Sequence, residues 1–142
     1  MGCDIHLVVE RRIAPDKWVA VNTMNGHHRS PWHVKDGDYS WSSPAARERN
    51  YERFAKLAGV RGRGPDARGA PEDASETTRH LIDGWSTDGH SHSWLPITEA
   101  TPIFVETASK LSDHDRKSPV AYFFGIEEEE AAEHRIVFWF DN

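Results

Sequence analysis

The sequence has a single cysteine, few apolar residues and no long apolar run. Of its 142 residues, 37% are hydrophobic, and the mean hydropathy is −0.70. One cysteine excludes an internal disulfide, which suits the reducing cytosol. No segment has the apolar length of a membrane span, and the N-terminus lacks the basic start of a signal peptide. We therefore expect one soluble domain, residues 1–142, that works in the cytoplasm.

Positive charge is also scarce. The formal net charge is −6 with histidine neutral, from 17 Lys and Arg against 23 Asp and Glu. Because neutralisation of phosphates dominates nucleic-acid affinity, we do not expect duplex nucleic acid as a partner. The arginines within residues 47–68 could still bind a single nucleotide. Six Trp and six Phe offset the small apolar fraction, because each large ring buries much area.

Alternating residues at both ends of the chain predict β-strands. In residues 3–12, Cys3, Ile5, Leu7 and Val9 share one face, and Asp4, His6, Val8 and Glu10 share the other. Turn residues at 14–17 and the apolar residues at 18–21 predict the second strand of a hairpin. Residues 135–140 give the strongest strand signal, and residues 120–126 are apolar enough for another strand, although their pattern also allows a helix.

Capping residues and helical spacing predict three helices, at residues 44–58, 76–83 and about 102–110. Ser43 and Ser75 are the expected N-caps of the first two helices, and Gly59 and Gly84 are expected to end them. Long loops are expected at residues 22–43, 62–71 and 85–96, with an acidic linker at 127–133. The predicted class is α+β: a small antiparallel sheet that includes the N- and C-terminal strands, with two to three helices on one face and long aromatic-rich loops.

The polar face of the first strand carries the first candidate site. Asp4 and His6 share this face, as a metal-binding pair on a strand requires, although plain alternation on an exposed face gives the same pattern. Asp141 alternates with Val137 and Trp139 in the last strand. If the two strands pair antiparallel, Asp141 lies beside Asp4. Parallel pairing would separate them, and Asp141 would then only aid solubility.

Residues 88–93, Asp-Gly-His-Ser-His-Ser, form the second candidate site in a predicted loop. His90 and His92 would lie on one side of this loop, as a metal clamp requires. Ser91 and Ser93 could instead hold a phosphate together with backbone N–H groups. A polar turn without function is the third interpretation.

Short motifs are spread over nearly the whole chain: Met1-Gly2-Cys3-Asp4-Ile5-His6, Arg49-Asn50-Tyr51, Arg68-Gly69, Asp88-Gly89-His90-Ser91, Ser93-Trp94-Leu95 and Val137-Phe138-Trp139-Phe140-Asp141-Asn142. Together they resemble a family of small bacteriophage and prophage proteins. The resemblance implies a phage origin, and therefore the host-cell cytoplasm, but no particular activity. It also implies that Asp4, His6, Arg49, Tyr51, Asp88 and His90 belong to the shared pattern. His92 occupies a position that varies in that family, and Ala70 stands where Leu is usual.

A second resemblance covers only part of the chain. Asp4-x-His6 and Gly89-His90-x-His92 are similar to the first and last motifs of calcineurin-like metallophosphoesterases. Those enzymes also carry a Gly-Asp pair and a Gly-Asn-His triplet between these motifs. Here only Gly37-Asp38 echoes the pair, no Gly-Asn-His exists, and the chain is short for that four-layer fold. The resemblance implies similar chemistry rather than membership.

The first functional hypothesis is a metal-dependent phosphohydrolase that acts on a nucleotide or phosphoester. Its catalytic residues would be Asp4, His6, Asp88 and His90, and its metal ligands Asp4, His6, His90 and Asp141. A bound zinc, manganese or magnesium ion would lower the pKa of a water molecule and make it a nucleophile at cellular pH. Arg49 or Arg61 would stabilise charge on the phosphoryl oxygens.

The second hypothesis is a non-catalytic protein that sequesters a host signalling nucleotide and needs no metal. The residues that would stack on the base are Tyr51, Trp85 or Trp94, and those that would hold the phosphate are Arg49, Arg61, Ser91 and Ser93. A third hypothesis is an acidic protein that masks a host enzyme with residues 127–130. A small phosphorylated ligand is the partner that the first two hypotheses share.

Overall fold

The structure, a computed structural model, describes residues 2–25, 38–40 and 44–141, so most of the loop predicted at 22–43 lies outside the described residues. The strands are β1 (Ile5–Ala14), β2 (Lys17–Asn25), β3 (Asp38–Ser40), β4 (His90–Pro96) and β5 (His134–Phe140). The α-helices are α1 (Tyr51–Ala58), α2 (Glu76–Trp85), α3 (Ile97–Thr107), α4 (Asp113–Lys117) and α5 (Pro119–Phe124). Two short 3₁₀ helices cover Ser86–Asp88 and Glu128–Glu133. Among the described residues, no helix is long and apolar enough to cross a membrane.

The five strands form one sheet in the order β3-β2-β1-β5-β4. β1 is antiparallel to β2 and β5, and β4 is antiparallel to β5, while the short β3 runs parallel to β2. Ile5 lies opposite Phe140, which confirms the antiparallel pairing of the first and last strands. The predicted α+β class is also confirmed, with the N- and C-terminal strands side by side in the antiparallel part of the sheet.

The apolar face of the sheet packs against α1, α3 and α5 and forms the main core. Its largest buried side chains include Ile5, Leu7, Ile136, Phe138 and Phe140 from the strands and Phe54, Phe104, Phe123 and Phe124 from the helices. The ring centroids of Phe54 and Phe140 are 5.0 Å apart in an edge-on contact, a favourable geometry for aromatic pairs. The alternation predicted for β1 is therefore confirmed on this face.

The opposite face of the sheet is covered by α2. Leu81 and Trp85 of this helix pack on Val8, Ala20 and Trp139 and form a second, smaller core. As predicted, Ser75 caps the helix, because its hydroxyl accepts a hydrogen bond from the Thr78 backbone N–H at 3.1 Å. Gly84 does not end the helix, which continues to Trp85. The polar face of β1 is therefore covered rather than open to solvent.

Two elements need comment. Residues 120–126, for which the sequence allowed a strand or a helix, lie mostly in α5, because Pro119 suits a first helical turn and Val120, Phe123 and Phe124 are buried at helical spacing. Residues 90–96 were expected to lie in a loop but form β4, whose backbone pairs with β5. Backbone pairing needs no apolar signal, so the polar sequence hid this strand.

Other boundaries differ by less. α1 begins at Tyr51 rather than at Pro44, because the Asn50 side chain caps it by accepting from the Arg53 backbone N–H at 3.0 Å. α3 begins at Ile97 and contains Pro102 in its interior. The predicted acidic linker is partly the 3₁₀ helix Glu128–Glu133, and the Glu128 carboxylate accepts from the first backbone N–H groups of α5. Masking of a host enzyme by residues 127–130 stays a prediction.

Candidate functional site

The beginning of β1 and the end of β5 bring two carboxylates and one imidazole together. His6 Nε2 lies 2.5 Å from Asp141 Oδ2, and both side chains are buried. The Asp4 backbone N–H donates to Asp141 Oδ1 at 3.3 Å, and the Asp141 backbone N–H donates to the Asp4 carbonyl at 3.1 Å. The structure thus places Asp141 beside Asp4 and His6, as antiparallel pairing predicts.

Arg49 connects this buried cluster to the surface. Its Nε donates to Asp4 Oδ1 at 2.8 Å and its Nη2 to Asp4 Oδ2 at 3.4 Å, a two-point contact. The hydrogen bond to Asp4 raises the pKa of Arg49, which therefore stays charged. The Arg49 side chain is 54% exposed, whereas that of Asp4 is 9% exposed. Asp4 thus holds a guanidinium group that reaches solvent.

Tyr51 and Arg61 lie at the same end of β1. The Arg61 guanidinium carbon is 5.2 Å from the centroid of the Tyr51 ring, and Tyr51 is 37% exposed. The Tyr51 hydroxyl accepts from the Cys3 backbone N–H at 3.4 Å. Burial raises the pKa of the Cys3 thiol, while the charges of Arg61 and Arg49 oppose this rise. Both guanidinium groups are therefore near Cys3, and that of Arg49 also lies against Gly2.

His6 is also covered by an aromatic layer, which consists of the rings of Trp85, Trp139 and His92. Its ring centroid lies 4.3 Å from that of Trp85 and 6.0 Å from that of Trp139. The His92 ring stacks on the Trp139 ring at 6.2 Å. Trp139 Nε1 and His92 Nε2 are buried, and neither has a hydrogen-bond partner in the part of the chain that the structure describes. Burial, and to a smaller extent His90, lower the pKa of His92, which favours a neutral ring.

The histidines of the second motif lie on β4 rather than in a loop. The register of β4 against β5 shifts between His90 and Ser93, and Ser91 has a φ of 55°. The His90 ring lies 6.3 Å from Phe140, whereas the His92 ring stacks on Trp139. Neighbouring residues of a strand point to opposite faces. The two imidazoles therefore approach different faces of β5, which is not the arrangement of a clamp.

Three other predicted residues have separate surroundings. Asp88 is exposed in the 3₁₀ helix Ser86–Asp88 and makes no hydrogen bond or ion pair within the described residues. Ser93 is buried, and its hydroxyl accepts from the Arg68 backbone N–H at 3.0 Å. The Trp94 ring lies 5.0 Å from the Arg68 guanidinium carbon. Ser93 and Trp94 thus both contact Arg68.

The four predicted metal ligands have several different partners. Across residues 2–25, 38–40 and 44–141, no three His, Cys, Asp or Glu side chains are placed to hold a metal ion. His6 and Asp141 meet side chain to side chain, while the Asp4 carboxylate binds Arg49 and the His90 ring contacts the Ser91 hydroxyl at 3.0 Å. Metal binding thus stays a prediction.

Backbone strain is concentrated around this site. Arg61, Ser86 and Ser91 are the non-glycine residues with positive φ in the described chain, at 60°, 50° and 55°. Arg61 lies on Tyr51, Ser86 follows Trp85, and the Ser91 hydroxyl contacts His90. Such conformations cost about 1–3 kcal/mol each and are concentrated at functional sites. All three therefore lie next to residues at this end of the sheet.

Sequence reasoning missed one residue of the site, Trp139. It alternates with Asp141 in β5, so the sequence did carry a signal for it. Comparisons of the chain with protein-family models, curated proteins and solved structures find no match. The resemblance to phage proteins therefore stays a prediction.

Proposed function

We propose that the end of the sheet formed by the start of β1 and the end of β5 binds a small phosphorylated ligand of the nucleotide class. One observation carries the proposal: the exposed side chains of Arg49, Arg61 and Tyr51 lie at the start of β1, with the Arg61 guanidinium carbon 5.2 Å from the centroid of the Tyr51 ring. A guanidinium has five N–H donors, and Arg49 directs only Nε and Nη2 at Asp4. Two such groups suit a phosphate, and an exposed ring suits a base.

The state of the carboxylates favours binding over hydrolysis. Asp4 is paired with Arg49, and Asp141 is paired with His6. Both carboxylates thus orient a neighbouring positive or polar group, and neither is presented to a ligand. A phage protein of this kind would sequester a host nucleotide in the cytoplasm without a metal ion.

Calorimetric titration tests the proposal. The ligands are inorganic phosphate, ribose 5-phosphate and a panel of nucleoside monophosphates and cyclic dinucleotides, titrated into wild type, Arg61→Ala and Arg63→Ala. Because a hydrogen bond to a charged group contributes about 1.5–3 kcal/mol, we expect Arg61→Ala to weaken binding by about 10- to 100-fold. Arg63 is an exposed neighbour and serves as the control.

Two results would contradict the proposal. Wild type that binds no phosphorylated compound at millimolar concentration would reject the ligand class. Arg61→Ala that binds as tightly as Arg63→Ala would show that the site lies elsewhere on the chain.

A metal-dependent phosphohydrolase is the second candidate, favoured by the 2.5 Å contact of His6 Nε2 with Asp141 Oδ2. These two side chains could begin a metal site, and Mg²⁺ sites are often completed by substrate phosphates and water. Elemental analysis after supplementation with zinc, manganese or magnesium separates the candidates. Stoichiometric metal in wild type that is lost in Asp141→Asn would favour the hydrolase. No metal in wild type, with or without a nucleotide, would reject it.

A further inference from the structure

Arg53 of α1 is a buried cation between the helices of the main core. Its exposure is 2%, and burial lowers the pKa of its guanidinium to about 10, although Glu48 opposes this fall. The group is therefore still charged at neutral pH. Its Nε donates to the Thr107 hydroxyl at 2.9 Å, and its Nη2 donates to the Phe104 carbonyl at 3.1 Å. Both acceptors are neutral groups.

Arg53 differs in its partners from Arg135, the other buried arginine of the described chain. Arg135 forms ion pairs with Glu10 at 2.7 Å and with Asp73 at 3.0 Å. No carboxylate among the described residues forms an ion pair with Arg53. Buried arginines are normally paired, because removing a charge from water is costly. The surroundings of Arg53 thus lack the negative group that Arg135 has.

The end of α3 offsets this charge only in part. Phe104 and Thr107 lie in the last turn of α3, and the carbonyl groups at a helix C-terminus carry about half a negative charge together. The centroids of the Phe104 and Phe123 rings lie 4.5 Å and 5.4 Å from the guanidinium carbon, and aromatic faces also attract a cation. None of these groups carries a full negative charge.

A small pocket lies beside Arg53. Its volume is about 20 Å³, which is enough for one water molecule or one ion of similar size. Arg47 and Lys110, two exposed cations, also line it, and Glu48 is the one carboxylate among its described lining residues. Three positive side chains against one negative side chain give this pocket an excess of positive charge, which attracts anions.

We propose that this pocket binds one small anion, of the size of a halide ion, as the counter-ion of Arg53. The hydrogen bonds of Arg53 use Nε and Nη2, so the N–H donors of Nη1 are left for the anion. A phosphate group is too large for this volume. The site is therefore distinct from the one proposed at Arg49 and Arg61 and does not depend on it.

A bound anion has a structural consequence. The pocket is lined by Arg53 of α1, by Lys110 after the end of α3 and by Tyr122 of α5. An anion that binds only the folded chain stabilises it by mass action. We therefore expect the packing of these three helices to become more stable as the concentration of a small anion rises.

The width of the ³⁵Cl NMR line of free chloride tests the proposal, because chloride relaxes rapidly while it is bound to a protein. Sodium chloride is added to wild type, Arg53→Met and Arg61→Ala. We expect wild type and Arg61→Ala to broaden the line, and bromide to reverse this by displacement. Arg53→Met, which keeps a long side chain but has no charge, should lose the broadening.

A second pair of variants does not depend on the fold of Arg53→Met. Lys110→Gln removes an exposed cation of the pocket, and Lys117→Gln removes an exposed lysine of α4 outside it. Because an exposed charge contributes little, we expect Lys110→Gln to weaken chloride binding by about two- to fivefold and Lys117→Gln to leave it unchanged. The thermal midpoint, measured in chloride against gluconate at equal ionic strength, should rise with chloride in wild type and rise less in Lys110→Gln.

Three results would overturn the proposal. Wild type without broadening would leave the pocket to water. Broadening that is kept in a folded Arg53→Met and lost in Arg61→Ala would place the anion at the other arginines. Where Arg53→Met does not fold, equal chloride affinity of Lys110→Gln and Lys117→Gln would reject the pocket as the site.

Discussion

Two charged clusters lie on the same face of β1 and β5, one at each end. At the end distant from the candidate site, Glu10 lies opposite Arg135 and is fully buried. Its Oε1 accepts from Arg135 Nε at 2.7 Å, and its Oε2 accepts from the Ser75 backbone N–H at 2.8 Å and the Thr78 hydroxyl at 2.6 Å. At the other end lies the Asp4–His6–Asp141 cluster.

The two ends differ in the solvent exposure of their arginine, so we call the Glu10–Arg135 end the closed end and the Arg49 end the open end. The Arg135 side chain is 5% exposed and stacks against Trp18, with its guanidinium carbon 4.0 Å from the ring centroid. The Arg49 side chain is 54% exposed and points to solvent. Strained backbone and nitrogens without partners occur at the Arg49 end. A buried ion pair with its hydrogen bonds satisfied favours one register of the strands, whereas the exposed Arg49 directs only Nε and Nη2 at Asp4 and is the group proposed above to bind a ligand.

The largest expected loss of stability comes from a substitution at the closed end. Glu10→Gln removes the buried charge that faces Arg135 and leaves Asp73, whose side chain is 44% exposed, as the ion-pair partner of this buried cation. Breaking such a pair destabilises a protein by about 3–5 kcal/mol, so urea denaturation should show a loss of this size. Glu133→Gln, which removes the exposed partner of Arg11, is the control and should cost about 0–1 kcal/mol. A Glu10→Gln variant as stable as this control would contradict the assignment of the closed end as structural.

A smaller loss is expected at the open end. Asp141→Asn keeps the oxygen that accepts from the Asp4 backbone N–H but removes the charge beside His6. We expect the free energy of unfolding to fall by about 1–3 kcal/mol, the usual range for a buried group with a weakened hydrogen bond. Urea denaturation at pH 7 measures it. A loss that exceeds that of Glu10→Gln would reverse the comparison and make the open end the structural one.

The smallest expected effect is the pH dependence from His92. Its pKa in the folded protein is lowered, mainly by burial, so the unfolded chain binds the proton more readily. The contribution of His92 to stability is therefore complete above about pH 6.5, its ordinary pKa, and is lost as the pH falls towards the folded value. Denaturation from pH 7.5 to 5 should show a shallower fall in stability for His92→Gln than for wild type. His80→Gln, at an exposed position of α2, should follow wild type. Equal slopes for His92→Gln and wild type would contradict the expectation.

The sequence predicted β1 and β5 as strands but left their pairing open between antiparallel and parallel, and the structure shows the antiparallel one. Both strands have period-2 alternation, and a polar residue on each, Asp4 and Asp141, marks the ends that meet. The partner of Glu10 was missed although the signal was present. Once the antiparallel register is known, Arg135 falls opposite Glu10, and opposite charges at paired positions predict contact.

Other parts of the site depend on contacts that no local pattern encodes. β4 has a polar sequence and is defined by its backbone hydrogen bonds to β5. Arg61 contacts Tyr51 from a backbone conformation with positive φ. Such a conformation can be predicted at glycine, Asn or Asp, but an arginine gives no signal for it. α2 covers His6 because of the way this helix packs on the sheet. These features arise from tertiary packing, which overrides local propensity.

The position of β5 between β1 and β4 has a consequence for biosynthesis. β4 has no other strand partner among the described residues, and the backbone of Asp4 meets the side chain of Asp141 across 137 positions. Contacts between such distant residues form slowly, because the chain must first close a long loop. Until β5 has left the ribosome, a nascent chain has two separate halves of a sheet. Ligand recognition should therefore arise in one step when β5 inserts, and a stalled chain that lacks β5 should have none.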